Sequence, residues 1–368
     1  MITNIRFQRN REGKDLNMNL SKKILILVDD DDNFLIQIDK NHDYHSMDVM
    51  KIKHLLQEYG YDVQKCSFSK LDLKADYKGV FVIYHICEDL FVLYKSYVED
   101  IINFLRRQGA IILPNCDYAR AHHNKVYMEM LRSEFKDADL KTIQTSFFGN
   151  AKEALNASNE MEYPVVIKPA SGAGSWGVSL AYDAKEYQMK INKICGGFFY
   201  RDCIDFAKKA VKLVLNKVGI KKYYIDNCFS KIIVQTFIPN LAGDYKVLYF
   251  GGKYYTLKRL NRDNDFRASG SGKLFFVPDE EICGLLDFAK KAVHEIDFSM
   301  IGLDIGFDGQ KYHLLEFQMV HMGPYTLTLS DFYHVESENG WKKIITKSDL
   351  EEEFSRCIDY QIKKKNKI

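Results

Sequence analysis

The sequence predicts an α/β protein in which an N-terminal doubly wound parallel sheet precedes a larger α+β part. Short apolar runs, the first at Ile24–Val28, alternate with amphipathic helical stretches over residues 23–114, a pattern typical of a parallel sheet covered on both faces. Further along, Gly251-Gly252 and Asp308-Gly309 each separate two apolar runs, and such two-residue turns join antiparallel strands into hairpins. A chain of 368 residues is long enough for two or three packed units.

The elements of the N-terminal domain, residues 23–114, follow from apolar periodicity. The first run ends at four consecutive acidic residues, and the helical stretch after it ends at Gly60, a residue type that commonly stops helices. We predict, in chain order, a strand at 24–28, a helix at 46–59, a strand at 80–84, a helix at 90–107 and a strand at 110–113. Residues 1–22 are polar and are predicted to form a loosely attached tail.

The second part is predicted to span residues 115–330, with a C-terminal extension at 331–368. It begins with helical segments around residues 123–131. We then predict strands at 165–168, 232–237, 245–250, 253–258, 301–307 and 312–318, and a helix at 279–296 before the last two strands. Residues 186–231 are predicted to be an insert that contains a helix at 203–218. The extension ends in KKKNKI, which is predicted to be a solvated helix end.

Composition excludes several classes of function. The chain has 52 basic and 50 acidic side chains and a formal net charge of +2. This balanced charge indicates neither a nucleic acid nor a membrane as partner. Its eight cysteines are scattered and form no C-x-x-C pair, so they are predicted to be reduced thiols. The polar N-terminus lacks the apolar core of a secretory signal, and no apolar stretch approaches a membrane span. We therefore expect a cytoplasmic protein.

The first functional motif is a lysine followed by a glycine-rich loop, in the segment YPVVIKPASGAGSWGV at 163–178. A predicted strand delivers Lys168, and the loop carries Gly172, Gly174 and Gly177. Glycines let backbone N–H groups approach phosphate oxygens, and a lysine at the base of the loop adds positive charge. The segment is neither a Walker A motif nor a Rossmann fingerprint. The pattern favours phosphate binding over the alternative, a surface hairpin with a solvated lysine.

The second motif is an acidic hairpin. Glu316 and Gln318 are two residues apart on one predicted strand, so both side chains point to the same face. The turn at Asp308-Gly309 would place Asp304 on the neighbouring strand. Three oxygen-bearing side chains would then converge where Mg²⁺ could bind. The alternative is a hairpin with solvent-facing polar residues, which the motif in isolation favours slightly.

Taken in chain order, the lysine–glycine loop, an apolar linker strand, a basic hairpin and the acidic hairpin resemble the ATP-grasp superfamily. The resemblance covers about residues 115–325 and is nearest to the glutathione-synthetase and ribosomal-protein glutamate-ligase type. It implies an N-terminal doubly wound sheet followed by an ATP-grasp fold of two α+β subdomains. It also implies ATP and one or two Mg²⁺ ions as cofactors, with Mn²⁺ as the alternative metal.

The resemblance assigns nucleotide-binding roles to several segments. Lys125, at the end of NCDYARAHHNK, resembles the first nucleotide lysine, and Lys168 resembles the second, which contacts the α- and β-phosphates. Residues 170–178 resemble the flap over the phosphates, and residues 233–239 resemble the hinge that binds adenine through its backbone. The implied cofactor-binding residues are Lys125, Lys168, Ser171, Gly172, Gly174, Ser175, Gly177, Gln235, Thr236, Phe237, Ile238 and Lys246.

The resemblance also assigns catalytic and metal-binding roles. The basic hairpin that reaches the transferred phosphoryl group and the substrate corresponds to Lys258-Arg259 and to residues 265–269, so the implied catalytic residues are Arg267, Lys168 and Arg259. The implied metal ligands are Asp304, Glu316 and Gln318. This sequence departs from the family at four positions: it has Gln235 for the usual Glu, Lys246 for Arg, Ser269 for Asn and Gln318 for Asn. The last departure makes the second metal position the least defined.

The activity that the resemblance implies is the joining of a carboxylate to an amine through an acyl phosphate. The substrates would be small molecules, peptides or sugars that carry these groups. Two alternatives remain open: a kinase on the same fold, and a nucleotide-binding regulatory protein whose catalysis has decayed. An exposed edge strand of the first domain could pair with a second copy, so a homodimer is a further expectation.

Candidate acceptor-site residues lie in three places. His85 and Glu88 follow a strand of the first domain, where open α/β sheets bind ligands. His321 and Tyr325 follow the acidic strand, and the insert contributes Tyr200, Arg201 and Tyr223. Each of these residues has a loop or packing role as its alternative. His122-His123 is predicted to be a solvated pair on a helix rather than a metal site.

Overall fold

The computed structural model describes residues 22–35, 37–38, 44–86, 92–172, 177–195, 229–262, 265–267 and 272–366, with the isolated positions 211, 214 and 217. The chain divides into two compact units: one comprises residues 1–123, 131–142 and 241–368, and the other residues 124–130 and 143–240. The domain boundaries predicted at residues 114 and 330 stay predictions. Most of the predicted tail at 1–22 and of the predicted helix at 203–218 lies outside the described residues.

The first unit begins with a four-stranded parallel sheet in the order β4-β1-β5-β6. Its strands are β1 (Lys23–Val28), β4 (Asp62–Ser67), β5 (Phe81–Tyr84) and β6 (Ile111–Leu113), and a small pair, β2 (Gln37–Ile38) and β3 (Tyr44–His45), follows β1. The helices are α1 (Val49–Glu58), α2 (Leu93–Arg107) and α3 (Cys116–His123). The predicted doubly wound parallel sheet is confirmed.

The apolar run predicted as the first strand is the centre of this sheet. Residues 24–28 of β1 are at most 2% exposed, and neighbours pair with β1 on both sides. Helix α1 begins where the Asp48 carboxylate accepts the N–H groups of Met50 and Lys51, and it buries Val49, Ile52 and Leu56. The edge strand β4, with the polar sequence DVQKCS, was not predicted because it lacks a continuous apolar run.

The second unit is built on an antiparallel sheet in the order β7-β10-β8-β9. Its elements are the first residues of α4 (Lys125–Ser133), then β7 (Thr145–Asn150), α5 (Ala151–Asn156), β8 (Val165–Pro169), β9 (Ser179–Ala181), α6 (Ala184–Cys195) and β10 (Phe229–Thr236). One face of the sheet is its core, where Val165, Ile167, Ile232 and Val234 pack with Tyr187 and Ile191 of α6. The described start of the predicted insert is therefore part of this core.

The first unit continues with a seven-stranded sheet in the order β15-β14-β11-β12-β16-β17, in which β13 pairs with β12. Its strands are β11 (Gly243–Phe250), β12 (Lys253–Leu260), β13 (Leu274–Phe275), β14 (Met300–Phe307), β15 (Tyr312–Gln318), β16 (Tyr333–Ser337) and β17 (Gly340–Ile344). The helices are α7 (Asp279–Glu295), α8 (Tyr325–Thr328) and α9 (Leu350–Lys365), and short 3₁₀ turns of this unit lie at Phe68–Lys70 and Ala138–Lys141. A third 3₁₀ turn, Ala157–Asn159, belongs to the second unit.

Both predicted hairpins of this sheet are confirmed. Strands β11 and β12 pair up to Phe250 and Lys253, and the two glycines between them have φ angles of +49° and +98°, which glycine adopts without strain. Strands β14 and β15 pair up to Phe307 and Tyr312, and the loop between them has four residues, 308–311, in which the Asp308 N–H donates to the carbonyl of Lys311 over 3.2 Å. The hairpin β16–β17 was not predicted, because its charged and half-exposed sequence carries no apolar alternation.

The C-terminal helix α9 carries the predicted lysine-rich end but is not itself a solvated tail. It buries Phe354, Ile358 and Ile362, and the Phe354 ring meets the Phe34 ring edge-on with centroids 5.6 Å apart. The Tyr61 hydroxyl donates to Asp359 over 2.9 Å. The solvated-end prediction therefore applies to the terminal lysines alone. Among the described helices, none is long and apolar enough to cross a membrane.

Candidate functional site

Strand β8 places Lys168 on the face of its sheet that lies opposite the core. Val165 and Ile167 alternate with Lys168 along β8 and point into the core. On the neighbouring strand β10, Ile233 pairs with Lys168, and Gln235 pairs with Val166. Because directly paired residues share a face of a sheet, Lys168 and Gln235 lie on the same side, as a common role in nucleotide binding requires.

Lys125 is joined to the base of the glycine-rich loop. Its backbone N–H donates to the carbonyl of Ala170 over 2.9 Å, and its Nζ donates to the carbonyl of Gly172 over 2.7 Å. Lys125 is the first residue of α4, and in the first turn of this helix the Tyr127 N–H donates to the Asn124 side-chain oxygen over 3.4 Å. The structure thus brings the two predicted nucleotide lysines to one loop, although 43 residues separate them in the sequence.

The glycine-rich loop is described at both ends. Gly172 has a φ of +124° and Gly177 a φ of +72°. A Cβ atom on Gly177 would lie 2.9 Å from Cγ of Pro169, closer than packed atoms allow. Glycine is therefore required at position 177 for two reasons, backbone conformation and space. Gly174 and Ser175 lie outside the described residues, and Ser171 is half-buried.

The predicted adenine hinge, residues 233–239, includes the end of β10 and the residues after it. The Thr236 N–H donates to the carbonyl of Gln144 over 3.1 Å, and the Phe237 N–H donates to the carbonyl of Pro164 over 3.3 Å. These bonds fix the path of the chain into Ile238. Two of the hinge N–H groups are thus engaged within the unit, so adenine recognition by the backbone would fall to the carbonyls of this segment and to Ile238.

Sequence reasoning missed Glu129, which lies beside the hinge. The Glu129 carboxylate accepts hydrogen bonds from Gln235 Nε2 and from Thr145 Oγ1, each 3.1 Å long. Glu129 is 7% exposed and Gln235 4% exposed. The only sequence signal is the position of Glu129 one helical turn after Lys125, on the same face of α4.

In the first unit, Asp304 lies within a cluster of two carboxylates and two cations. Lys246 Nζ donates to Asp304 Oδ1 over 2.9 Å, and Arg259 Nη2 lies 2.8 Å from Asp304 Oδ2. Arg259 also binds Asp244 through two hydrogen bonds of 2.6 and 2.7 Å. Strand pairing dictates this arrangement, since Lys246 is the cross-strand partner of Asp304 and Asp244 that of Arg259.

This cluster sets the charge state of Asp304. Burial alone would raise the pKa of this carboxyl, but the adjacent Arg259 and Lys246 outweigh burial and hold its pKa well below the ordinary value. The same carboxylates raise the pKa of Arg259 against the effect of burial. Asp304 is therefore held as an anion, and its two oxygens are paired with Lys246 and Arg259.

Glu316 and Gln318 lie beside Asp304, as predicted. Glu316 is the cross-strand partner of Asp304, and Gln318 that of Gly302. Gln318 Nε2 donates to Glu316 Oε1 over 2.8 Å, which turns the amide oxygen of Gln318 away from that carboxylate.

The strand β15 bulges just before Glu316, and a buried arginine holds the bulge. The register shifts so that Leu315 is extra relative to β14. The guanidinium of Arg132, itself 2% exposed, donates to the carbonyls of Leu314 and Leu315 over 2.6 and 3.1 Å. Arg132 thus fixes the backbone that carries Glu316, a role that the sequence alone did not reveal.

The donor types at this hairpin fit Mg²⁺, although Asp304 is paired with Lys246 and Arg259 and the Gln318 amide turns its nitrogen toward Glu316. Two carboxylates and one amide oxygen are hard ligands of the kind that Mg²⁺ prefers. In the part of the chain that the structure describes, no three side chains of His, Cys, Asp or Glu cluster as a metal site. The candidate set Asp304, Glu316 and Gln318 therefore depends on the Gln318 amide oxygen as its third ligand.

The remaining basic residues of the predicted hairpin differ in their surroundings. Lys258 precedes Arg259 on β12 and so faces the opposite side of the sheet, where its Nζ contacts both carboxylate oxygens of Glu281 at 2.7 and 2.8 Å. Arg267 binds Asp265, its neighbour two residues earlier, with a shortest distance of 2.6 Å. Ser269 lies outside the described residues. Arg259 is thus the basic-hairpin residue that the structure places beside the candidate metal ligands.

The candidate acceptor residue His85 is fully buried at the carboxyl end of β5. Its Nδ1 accepts the N–H of Leu35 over 2.9 Å, which fastens the loop after β1 to the end of β5. Burial lowers the pKa of His85 to about 4, although Asp29, 3.9 Å away, acts in the opposite direction. The ring is therefore neutral at pH 7. Glu88, Tyr200, Arg201 and Tyr223 lie outside the described residues.

The prediction of a solvated pair at His122-His123 is wrong. His122 is 8% exposed, and its ring stacks on that of His321 with centroids 6.0 Å apart. His123 contacts the carboxylate of Glu99 on α2. The reason is that α3 packs against α2 and β15, which encloses both rings. The candidate acceptor residue His321 therefore contacts His122 through ring stacking. The hydroxyl of the other candidate, Tyr325, lies 3.5 Å from Arg259 Nη1.

Comparison with known proteins places this architecture. Residues 128–195 match the family described as the ATP-binding domain of the carbamoyl-phosphate synthase large chain. The structure of the D-cycloserine synthetase DcsG superposes with a TM-score of 0.52 over 92% of this chain and 99% of that chain, at 14% sequence identity. The chain has an ATP-grasp fold.

Two further solved structures match this chain with lower TM-scores. A RimK domain ATP-grasp protein from Sphaerobacter thermophilus gives a TM-score of 0.45 at 11% identity, over 81% of this chain and 91% of that chain. The D-alanine–D-alanine ligase from Bacillus anthracis, solved with ATP, gives 0.48 at 10% identity, over 94% and 99%. No curated protein matches the sequence.

Proposed function

We propose that this ATP-grasp protein is an ATP- and Mg²⁺-dependent ligase that joins a carboxylate to an amine. The carrying observation is that each unit holds the chemistry for one part of such a reaction. The second unit holds Lys125 and Lys168 at the base of a glycine-rich loop. The first unit holds two adjacent acids, Asp304 and Glu316, with Arg259 and Lys246 around Asp304.

The proposed reaction has two steps. A carboxylate oxygen of the first substrate attacks the γ-phosphorus of ATP, which forms an acyl phosphate and releases ADP. The amine of the second substrate then attacks the acyl carbon, inorganic phosphate leaves with the bonding electron pair, and the amine loses a proton. ATP, a carboxylate and an amine thus become ADP, phosphate and an amide. The substrate class is small molecules, peptides or sugars that carry these groups.

The residues of this chain would act through charge and position. Lys125 and Lys168 would hold the phosphates, since ammonium groups bind phosphate oxygens strongly. Asp304, Glu316 and the Gln318 amide would hold Mg²⁺, which, when bound, shields the phosphate charges during transfer. Arg259 would stabilise the charge that develops on the transferred group, with Arg267 joining once it leaves Asp265. No side-chain nucleophile is required.

A hydroxylamine assay tests this function. Purified protein, ATP and Mg²⁺ are incubated with a panel of carboxylates, and hydroxylamine traps any acyl phosphate as a stable hydroxamate. We expect ADP, phosphate and a hydroxamate with at least one carboxylate, and loss of all three in Glu316→Ala. A stable phosphoester without free phosphate would establish a kinase instead. ATP binding without any turnover across the panel would favour a regulatory protein.

A further inference from the structure

Glu129 and Gln235 form a buried pair in which hydrogen bonds orient the Gln235 amide. Gln235 Nε2 donates to Glu129 Oε1 over 3.1 Å, so the nitrogen of the amide faces the carboxyl group. The same nitrogen lies 3.3 Å from Thr145 Oγ1, which donates to the other oxygen of Glu129. Side chains from α4, β7 and β10 thus share a hydrogen-bonded network through the Gln235 nitrogen, and the Gln235 oxygen is the amide atom turned away from Glu129.

The network explains why glutamine suits position 235 in this chain. A glutamate there would place a second carboxylate at hydrogen-bond distance from Glu129, and two like charges in a buried site repel. Gln235 replaces that repulsion with a hydrogen bond of 3.1 Å. The residue at 235 is therefore matched to the residue at 129, which lies 106 positions earlier.

The location of the pair connects it to the candidate nucleotide site. Gln235 lies on the same face of the sheet as Lys168, and Glu129 lies one helical turn from Lys125. Gln235 also lies within the predicted adenine hinge, residues 233–239, next to Thr236 at the end of β10. A change in how Glu129 holds Gln235 would consequently act on the nucleobase end of the site rather than on the phosphates.

We infer that Glu129 is a positioning residue for nucleobase selection, an inference that rests on the proposed ATP-dependent function. Glu129 holds the Gln235 amide so that its oxygen accepts a hydrogen bond from the exocyclic amino group of adenine. Guanine presents a carbonyl oxygen at the corresponding position, and two acceptors cannot bond to each other. The pair thereby favours ATP over GTP.

Four proteins test the inference: the wild type, Glu129→Gln, Gln235→Glu and the double variant that combines Glu129→Gln with Gln235→Glu. The dissociation constants of non-hydrolysable ATP and GTP analogues are measured for each with Mg²⁺ present. We expect Glu129→Gln to lower the preference for ATP over GTP about tenfold, because the side-chain amide of Gln235 can then flip and present its nitrogen instead of its oxygen to the nucleobase. Gln235→Glu should weaken binding of both nucleotides, because two carboxylates then face each other.

The double variant decides between a role in nucleobase selection and a purely structural role. The amide introduced at position 129 would donate to the carboxylate introduced at position 235, whose second oxygen again offers an acceptor to adenine. We therefore expect the ATP preference to return to within about threefold of the wild type. Melting temperatures are recorded alongside. A purely structural pair would lose and regain thermal stability through the series while the ATP-to-GTP ratio stays constant, and that result would overturn the inference. If Glu129→Gln does not fold, the double variant and Thr145→Val, which removes one donor to Glu129, carry the comparison.

The outcomes separate this inference from the proposed function. A wild-type protein that binds neither analogue contradicts both. A wild type that binds ATP with Mg²⁺, and whose preference over GTP is unchanged in Glu129→Gln, leaves the ligase proposal intact and refutes the role of Glu129 alone.

Discussion

At the scale of single residues, the candidate nucleotide-binding lysines and the candidate metal ligands differ in their electrostatic surroundings. Lys125 and Lys168 bring positive charge to the base of a loop, where Lys125 Nζ donates to the carbonyl of Gly172. Asp304 is paired with Lys246 and Arg259. Burying a carboxylate away from water is costly unless it is paired, and the ion pairs with Lys246 and Arg259 offset this cost for Asp304. Lysine substitutions should therefore act on nucleotide affinity and acid substitutions on turnover.

We expect Lys168→Ala to weaken ATP binding by roughly 1.5–3 kcal/mol, the value of one charge-assisted hydrogen bond. Glu316→Ala should instead abolish turnover, because it removes a candidate metal ligand. Isothermal titration with a non-hydrolysable analogue, together with ADP release, distinguishes the two effects. The exposed Lys185 provides the matched control, Lys185→Ala, which should leave both measurements unchanged. Unaltered affinity in Lys168→Ala would disprove the placement of the loop.

The buried His85 should make the protein sensitive to acid. Burial lowers its pKa from 6.5 to about 4. At a pH between these two pKa values, His85 is therefore protonated in the unfolded chain and neutral in the native state. Stability from this group is complete above pH 6.5 and is lost as pH falls toward 4, by up to about 3 kcal/mol. Urea denaturation at several pH values should show this loss in the wild type. In His85→Asn, the side-chain oxygen can still accept the Leu35 N–H. We expect the slope of the free energy of unfolding against pH to fall in this variant by an amount that corresponds to about one proton.

At the scale of elements, helix α9 shows how a charged sequence becomes part of a core. Its mean composition is polar, yet Phe354, Ile358 and Ile362 recur at helical spacing and are buried. Polar contacts at the edge of this apolar face orient the helix. Lys51 Nζ lies 2.5 Å from the carboxylate of Asp349 at the start of the helix, and the Tyr61 hydroxyl donates to Asp359. The helix thus closes the first unit, and its apolar face rather than its charges should carry the stability.

Two aromatic substitutions on α9 test this. Phe354 is 5% exposed and Tyr360 is 52% exposed. We expect Phe354→Ala to lower the free energy of unfolding by about 3 kcal/mol or more, because it leaves a cavity beside Phe34. Tyr360→Ala should change it by less than about 0.5 kcal/mol. Equal effects in chemical denaturation would contradict the packing of α9 described above.

At the scale of the whole molecule, the proposed function predicts coupling between nucleotide binding and folding stability. A ligand that binds only the native state stabilises it by mass action, by about 2.7 kcal/mol at a free concentration 100 times its dissociation constant. In the proposed function Mg²⁺ binds together with the phosphates, so nucleotide and metal together should stabilise more than nucleotide alone.

We expect a non-hydrolysable ATP analogue with Mg²⁺ to raise the melting temperature by several degrees, and by less when Mg²⁺ is replaced with a chelator. Differential scanning fluorimetry measures the shift, with Lys168→Ala as the variant in which it should shrink. Protein that is folded by circular dichroism but shows no shift at millimolar nucleotide would count against the ligase proposal as a whole.

The sequence by itself determined the elements whose signals are local. Continuous apolar runs identified β1 and β5 as buried parallel strands, Gly251-Gly252 and Asp308-Gly309 identified two hairpins, and spacing along β15 put Glu316 and Gln318 on one face. The lysine–glycine loop was also visible, because a glycine at position 177 serves a local backbone need. In each case the physical cause lies within a few residues of its effect.

Only the tertiary structure decided the features that depend on distant partners. The polar strands β4, β16 and β17 are strands because a neighbouring strand pairs with them, and His122 is buried because α2 and β15 cover α3. Likewise, the pairing of Glu129 with Gln235 joins residues 106 positions apart, and Arg132 supports a bulge 182 positions away. Hydrogen bonds and burial of this kind arise from the packing of whole elements, and no local pattern of side chains encodes them.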